Sequence, residues 1–305
     1  RRRWRVGAGL KIHFAGRGCR ATVAAMPLAP PLEDELGDIL DKALRSAGLT
    51  EAQLAAVTGI DAGRIKDAED YRYDFTCADV QKLAVALGLN EVGVCALGDG
   101  KYPLPELPEL PFTLHTLSLP YGIGRVNAYV VENPDTRATL LVDTADCPER
   151  LLSVWPAGLA LPEAVLLTHW DRDHAGGLPG LLQRRPGLPV LAPSALEGAG
   201  VVEPVGEGEM RCIASFGIRV FGTPGHTAEH NAYYVAAGPV DAPGVLFSGD
   251  LIFAGSLGGA FYCCHTLRRE ARRVAEALPP HTLLAPGHGP LTTIANELRF
   301  NPFFG

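Results

Sequence analysis

Four short segments of this chain each end an apolar run in histidine or aspartate, and they constrain the fold more than any other feature. Residues 168–177 read THWDRDHAGG and follow the run 164–167; they place His169, Asp171, Asp173 and His174 within six positions. GTPGHT carries His226 after 218–221, FSGD carries Asp250 after 245–247, and PGHGP carries His288 after 283–285. Short apolar runs bounded by Gly, Pro and polar residues predict strands, and α/β folds place function on the loops at strand exits. Runs at 127–131, 139–142, 190–191 and 232–235 extend the same pattern. Burying so many ionisable side chains without partners is costly, and metal binding removes that cost. Imidazole and carboxylate donors without thiolate suit zinc, iron or manganese. Seven candidate ligands exceed the needs of one ion, whereas two ions about 3.5–4 Å apart would use them all. The expectation is two divalent ions, zinc first, with iron or manganese as alternatives.

This set of clusters, in this order, resembles the metallo-β-lactamase superfamily over nearly all of 112–305. The family's first loop reads H-x-H-x-D-H. Here the first His matches His169, the Asp matches Asp173 and the last His matches His174, while Asp171 stands in place of the second His. The resemblance implies one metal held by His169, Asp171 and His226, and another by Asp173, His174 and His288, with Asp250 bridging. Asp173 would also orient the attacking hydroxide as the catalytic residue. A carboxylate at Asp171 adds hardness, which favours iron or manganese relative to an all-imidazole site. The terminal run PGHGPLTTIANELRFNPFF and GDLIFAGSLG are similar to the short glyoxalase II-type hydrolases. That likeness implies a metallo-hydrolase acting on a small acyl substrate, a thioester of hydroxyacyl-glutathione type. The alternatives are a mononuclear iron persulfide dioxygenase and a DNA-binding regulator with a ligand-sensing metal domain.

Residues 28–97 read differently. Leu36, Ile39, Leu40, Ala43 and Leu44 recur at helical spacing, and Gly48 closes that helix. Thr50 with Gln53 forms a capping box; Asp61 and Thr76 start two more helices, and Gly88 ends the last. The run is similar to the helix-turn-helix domain of Cro/C1-type repressors, whose third helix, here about 61–69, would enter the major groove. Charge argues against that use. Residues 28–100 hold 14 acidic and six basic side chains, net −8, and duplex binding needs cations facing phosphates. A packing or homodimerisation module is the expectation, with DNA binding through 28–97 as the alternative.

The whole chain's net −7 hides this arrangement: residues 1–27 are net +7, and the part beyond residue 100 is net −6. The basic segment 1–27 reads as a poorly ordered tail, with Met26 as an alternative start. GDGKYPLPELPELP, at 98–111, reads as a stiff Pro-rich linker to the domain at 112–305. The expected fold is therefore α/β, an αββα sandwich preceded by a small four- or five-helix domain. Seven scattered cysteines without a C-x-x-C predict free thiols in a cytoplasmic protein, and no apolar stretch approaches the roughly 20 residues of a membrane span. His13, His115, His230, His265 and His281 read as ordinary surface or core histidines, His230 being the one to watch for its place four residues after His226. Cys263 and Cys264 read as apolar filler, and Arg268, Arg269, Arg272 and Arg273 as a solvated helix face.

Overall fold

A strand that is apolar on both faces needs cover on both sides. Of residues 232–236, Ala232, Tyr234 and Ala236 belong to one hydrophobic cluster while Tyr233 and Val235 belong to another, and all five are buried. Residues 126–131 divide the same way, Val126, Ala128 and Val130 against Tyr129 and Val131. Such doubly apolar strands force a layered molecule, with two sheets face to face and helices outside.

The computed structural model describes residues 31–72, 75–195, 201–238 and 243–305. The expected tail at 1–27 lies outside these. Five helices come first: α1 (Leu36–Ala47), α2 (Glu51–Thr58), α3 (Ala62–Glu69), α4 (Cys77–Leu87) and α5 (Glu91–Gly98). Their starts follow the residues named above: Thr50 and Thr76 form capping boxes, and Asp61 accepts from the Gly63 and Arg64 amides. Gly48, Gly59 and Gly88 end α1, α2 and α4 in the left-handed region that glycine adopts without strain.

The first sheet holds β1 (Thr113–Tyr121), β2 (Gly124–Glu132), β3 (Thr139–Val142), β4 (Ala164–Leu166), β5 (Val190–Ala192) and β6 (Val202–Pro204), in sequence order. Helices α6 (Pro148–Ser153), α7 (Arg172–Ala175) and α8 (Leu178–Arg184) interrupt it. Strand β1 is absent from the runs named above; the Gly122-Ile123 turn folds it back onto β2. The second sheet contains β7 (Met210–Ile213), β8 (Phe216–Gly222), β9 (Asn231–Ala237) and β10 (Gly244–Gly249). Past the small hairpin β11 (Ile252–Phe253) and β12 (Ser256–Leu257) come helix α9 (Cys264–Glu276), β13 (Leu283–Pro286), β14 (Thr292–Thr293) and α10 (Ile294–Phe300). The strand order is β14-β13-β10-β9-β8-β7. Phe216, Tyr233 and Phe247 meet Tyr129, Leu140 and Leu166 between the sheets. Leu151, Leu178 and Leu181 of α6 and α8 cover the first sheet's outer face. The chain is thus an αββα sandwich with a helical N-terminal region.

That helical region shares a core with the sandwich. Leu36, Leu40, Leu54 and Leu83 lie in the same hydrophobic cluster as Leu246, Leu267, Leu284 and Phe304. Residues 98–111 run along this seam: Tyr102 is buried and its hydroxyl donates to Glu297 at 3.0 Å, while Asn296 Nδ2 donates to the Pro103 carbonyl. Gly93 of α5 marks the closest approach, since a Cβ there would stand 1.7 Å from the Phe300 carbonyl oxygen. Gly93→Ala must push α5 off the C-terminal segment and should cost about 1–3 kcal/mol in urea unfolding. Val92→Ala, on the exposed side of the same helix, should stay within about 0.5 kcal/mol.

Candidate metal centre

The seven candidate residues lie just past the carboxyl ends of four strands, five on loops and Asp173 and His174 in the short helix α7. His169 follows β4, His226 follows β8, Asp250 follows β10 and His288 follows β13. Each imidazole is held by its Nδ1. His174 Nδ1 lies 2.8 Å from Asp143 Oδ2, His226 Nδ1 2.7 Å from the Gly259 carbonyl, and His288 Nδ1 2.7 Å from the Arg125 carbonyl. His169 Nδ1 is 3.0 Å from Thr168 Oγ1, whose hydroxyl proton goes to Asp143. All four partners can only accept at that point, so every Nδ1 carries a proton and, once the ring is neutral, its Nε2 presents a lone pair. Outer partners of this kind fix the ring orientation of metal-binding histidines.

The Nε2 atoms converge on carboxylates. His174 Nε2 is 3.3 Å from Asp250 Oδ1; His226 Nε2 and His288 Nε2 are 3.5 and 3.6 Å from Asp250 Oδ2. Asp171 Oδ2 stands 3.2 Å from His226 Nε2 and 3.7 Å from His169 Nε2, while Asp173 Oδ2 stands 3.5 Å from His288 Nε2. Three overlapping sets each place their donor atoms within 4.8 Å of one another: His169, Asp171 and His226; His169, His174 and Asp250; Asp173, His174 and His288. Asp250 is shared between the two ends. His169 Nε2, His174 Nε2 and Asp250 Oδ1 are buried without a hydrogen-bond partner. A folded protein rarely leaves three such atoms orphaned side by side, and divalent cations would satisfy all of them. Gly287 keeps the space open: a Cβ there would lie 2.4 Å from Asp250 Oδ1 and 2.7 Å from His174 Cε1.

The electrostatics point the same way. Burial opposes charge on His288, but Asp250 and the hydrogen-bonded Asp173 outweigh it and raise its pKa to about 9. Burial likewise opposes charge on His174, yet Asp250 and Asp143 hold it well above the usual imidazole range. Burial works against ionising Asp250 as well, and His288 and His174 overcome it, so its carboxyl titrates well below the usual range. Without a cation, protonated imidazoles must balance the carboxylates.

Several residues outside the seven prove integral. Asp143 and Thr168 anchor two of the histidines, and Asp143 does so from a left-handed backbone at φ 56°. Their signal was legible, because Asp143 ends the run 139–142 as His169 ends 164–167. His230 is committed at both nitrogens: Nδ1 lies 2.7 Å from Thr223 Oγ1, and Nε2 accepts from the Asp250 amide at 3.2 Å. Burial first, then neighbouring His226, lowers its pKa to about 3. It therefore positions the Asp250 backbone as a neutral ring. His115 pairs with Glu132 at 2.8 Å on β1 and β2, away from this cluster. His265 is exposed.

Two sequence expectations are corrected here. Cys263 and Cys264 are partly exposed rather than buried filler, because they stand at the N-cap and first position of α9, where the chain enters the helix at the surface. The arginines of α9 are not simply solvated. Arg268 donates to the Gly88 carbonyl at 3.3 Å, Arg272 to the Gly305 carbonyl at 3.1 Å, and Arg273 bridges Glu270 and Glu207. The α9 face meets the N-terminal helices, which no local spacing announces.

Removing the anchor of His174 should weaken metal without touching a proposed ligand. Asp143→Ala is expected to lower metal affinity about 10–100-fold, read by chelator competition. Metal binding should also release protons. His288 is protonated at pH 7 and must lose that proton to donate, so apparent affinity should climb with pH and level off above about 9. Calorimetry in buffers of different ionisation enthalpy measures the release directly; zero protons released at pH 7 would contradict the assignment.

Residues 121–207 match the family model described as the metallo-beta-lactamase superfamily. A hydroxyacylglutathione hydrolase from Klebsiella pneumoniae is 35% identical over 127 residues, which is 42% of this chain and 48% of that one. A protein of the same name from Salmonella arizonae is 30% identical over 174 residues, 56% of this chain and 63% of that one. The chain thus spans about half to three-fifths of these curated relatives' length. Among solved structures, the BLEG-1 B3 metallo-beta-lactamase is 29% identical with a TM-score of 0.51, covering 63% of this chain and 99% of that one. A metallo-beta-lactamase from Staphylococcus aureus shares the fold at 19% identity and a TM-score of 0.53, covering 65% of this chain and 64% of that one. Residues 121–207 are thus similar to the metallo-beta-lactamase superfamily, and the two-sheet architecture is the fold of these solved structures.

Proposed function

We propose that the chain is a metal-dependent hydrolase of thioesters. The observation that carries this reading is the convergence of four Nδ1-anchored imidazoles on Asp250, with orphaned donor atoms pointing into one space. His169, Asp171 and His226 would hold one ion, Asp173, His174 and His288 another, and Asp250 would span both. Zinc is the first choice; the Asp171 carboxylate makes iron or manganese the alternatives. Divalent ions bound there would supply an acidified water and a Lewis acid for the substrate carbonyl.

The protein's own residues do the rest. Asp173, whose Oδ2 stands 3.5 Å from His288 Nε2, would orient the water and accept its proton. The water oxygen bonds to the acyl carbon, the carbon–sulfur bond breaks, and the thiol leaves as thiolate. A thiolate needs little protonation, so no separate general acid is required; an alkoxide would need one. The Asp171 side chain is 45% exposed, the most open of the set, and offers the approach for substrate. The relatives named hydroxyacylglutathione hydrolase support an acyl thioester over other substrates.

A nucleic-acid substrate fits poorly with a net −6 beyond residue 100. Duplex binding by the N-terminal helices is disfavoured too, since Lys66 pairs with Glu69, Arg72 with Asp67 and Arg64 with Asp79. No helix of the described residues is long and apolar enough to cross a membrane.

Metal analysis of the purified protein, with a panel of thioesters, lactones and phosphodiesters, tests the reading. The expected result is bound divalent metal and chelator-sensitive thioester hydrolysis. Protein that carries two metals yet leaves thioesters and lactones untouched would overturn it.

A further inference from the structure

Two thiols far from the candidate metal centre touch each other. Cys77 opens α4, Cys95 lies within α5, and their sulfurs stand 3.9 Å apart. Both are free cysteines, Cys77 exposed and Cys95 partly buried. They take no part in the proposed hydrolysis. The sulfurs must close by about 2 Å to bond, a movement on the scale of side-chain rotation about χ1. The pair borders a cavity of about 190 Å³ that Leu36, Phe75, Val80 and Gly98 also line. At about 30 Å³ per water molecule, that space admits the end of a small thiol but no cofactor-sized body.

The two thiols differ in access and in acidity. Burial, and then the neighbouring Cys77, push the Cys95 thiol up to about 11. Cys95 therefore stays protonated and reacts slowly, and the exposed Cys77 meets an oxidant first. The helices that carry them also differ. Helix α5 is held to the C-terminal segment: the Asn90 amide before it donates to the Pro302 carbonyl at 2.8 Å, and Asn90 Nδ2 donates to the Arg299 carbonyl at 2.9 Å. Gly93 of α5 packs against the Phe300 carbonyl. A bond from Cys95 to Cys77 would close a ring through residues 77–95 and tie the start of α4 to the helix that grips the sandwich.

We propose that Cys77 and Cys95 are a reversible dithiol–disulfide pair, oxidised by a low-molecular-weight disulfide, and that their bridge clamps α4 onto α5. The Cys77 sulfur, its proton lost to solvent, bonds to one sulfur of the small disulfide and expels the other as a thiol. The Cys95 sulfur then gives up its proton, bonds to the Cys77 sulfur and expels the second small thiol. The protein pair loses two electrons and two protons; the small disulfide gains both and leaves as two thiols. An excess of small thiol runs the same steps backwards. The grip of the N-terminal helices on the sandwich then depends on the redox state of the surroundings, independently of the metal centre and of the hydrolase reading.

The test is oxidation of the full chain with hydroxyethyl disulfide, followed by intact mass, peptide mapping and thermal melting. Wild type should lose two hydrogens, yield a cross-linked peptide pair joining Cys77 to Cys95, and recover both thiols on adding dithiothreitol. Cys95→Ser should stop one step earlier, with a single hydroxyethylthio group held on Cys77. Cys77→Ala, at an exposed position, should leave Cys95 reduced. Oxidised wild type should melt about 5–10 °C above the reduced protein, and Cys77→Ala should show no such difference. Wild type that retains the small thiol on Cys77, or that bridges other cysteines instead, would overturn the pair. A Cys77–Cys95 bridge that leaves the melting temperature unchanged would overturn the clamp.

Discussion

The structure depends on one buried carboxylate. Asp250 sits where the Nε2 atoms of His174, His226 and His288 come within 3.3–3.6 Å, and a charge so enclosed is tolerable only with positive partners around it. The surrounding protein is organised to keep those partners in place. Asp143 and Thr168 hold two rings, the Gly259 and Arg125 carbonyls hold two more, and His230 fixes the Asp250 amide. None of these anchors lies beside its histidine's own strand exit except Thr168. Both sheets are therefore needed to build the site, since Arg125 and Asp143 come from the first and Asp250 and His288 from the second.

The sandwich supplies that rigidity in an ordinary way. Doubly apolar strands bury Tyr129, Phe216 and Phe247 between sheets, and Tyr129 also donates to the Pro286 carbonyl at 2.7 Å. Asn127 adds bonds to the Pro286 and Gly289 carbonyls, tying the loop of His288 to the opposite sheet. Packing and polar contacts thus act on the same few residues, so core integrity and site geometry are coupled. The N-terminal helices join the same economy, because their apolar faces share a cluster with α9 and the C-terminal segment.

Much of this was legible in the residues. Helix starts at Thr50, Asp61 and Thr76 and stops at Gly48 and Gly88 follow from local hydrogen bonding, which operates within a few positions. The run 139–142 coincides with β3, and the four His/Asp clusters stand at strand exits as their flanking apolar runs implied. Strand β1 was missed because polar Thr113, His115 and Thr116 are spread over both faces of its first half and only Leu117 and Leu119 are buried, so its run lacks a continuous apolar core. The α9 arginines were misread because their partners, Gly88 and Gly305, are far away in sequence.

By itself the sequence determined the kinds of donor, their order and their positions after strands, because residue type and short-range periodicity are local properties. Only the tertiary structure decided which atoms of those donors face each other. The Nδ1 anchors come from Asp143, Gly259 and Arg125, and at Gly259 and Arg125 the anchoring group is a backbone carbonyl, which side-chain identity cannot signal. The thiol pair was likewise invisible in the sequence, since Cys77 and Cys95 belong to different helices and their sulfurs meet only when α4 packs on α5.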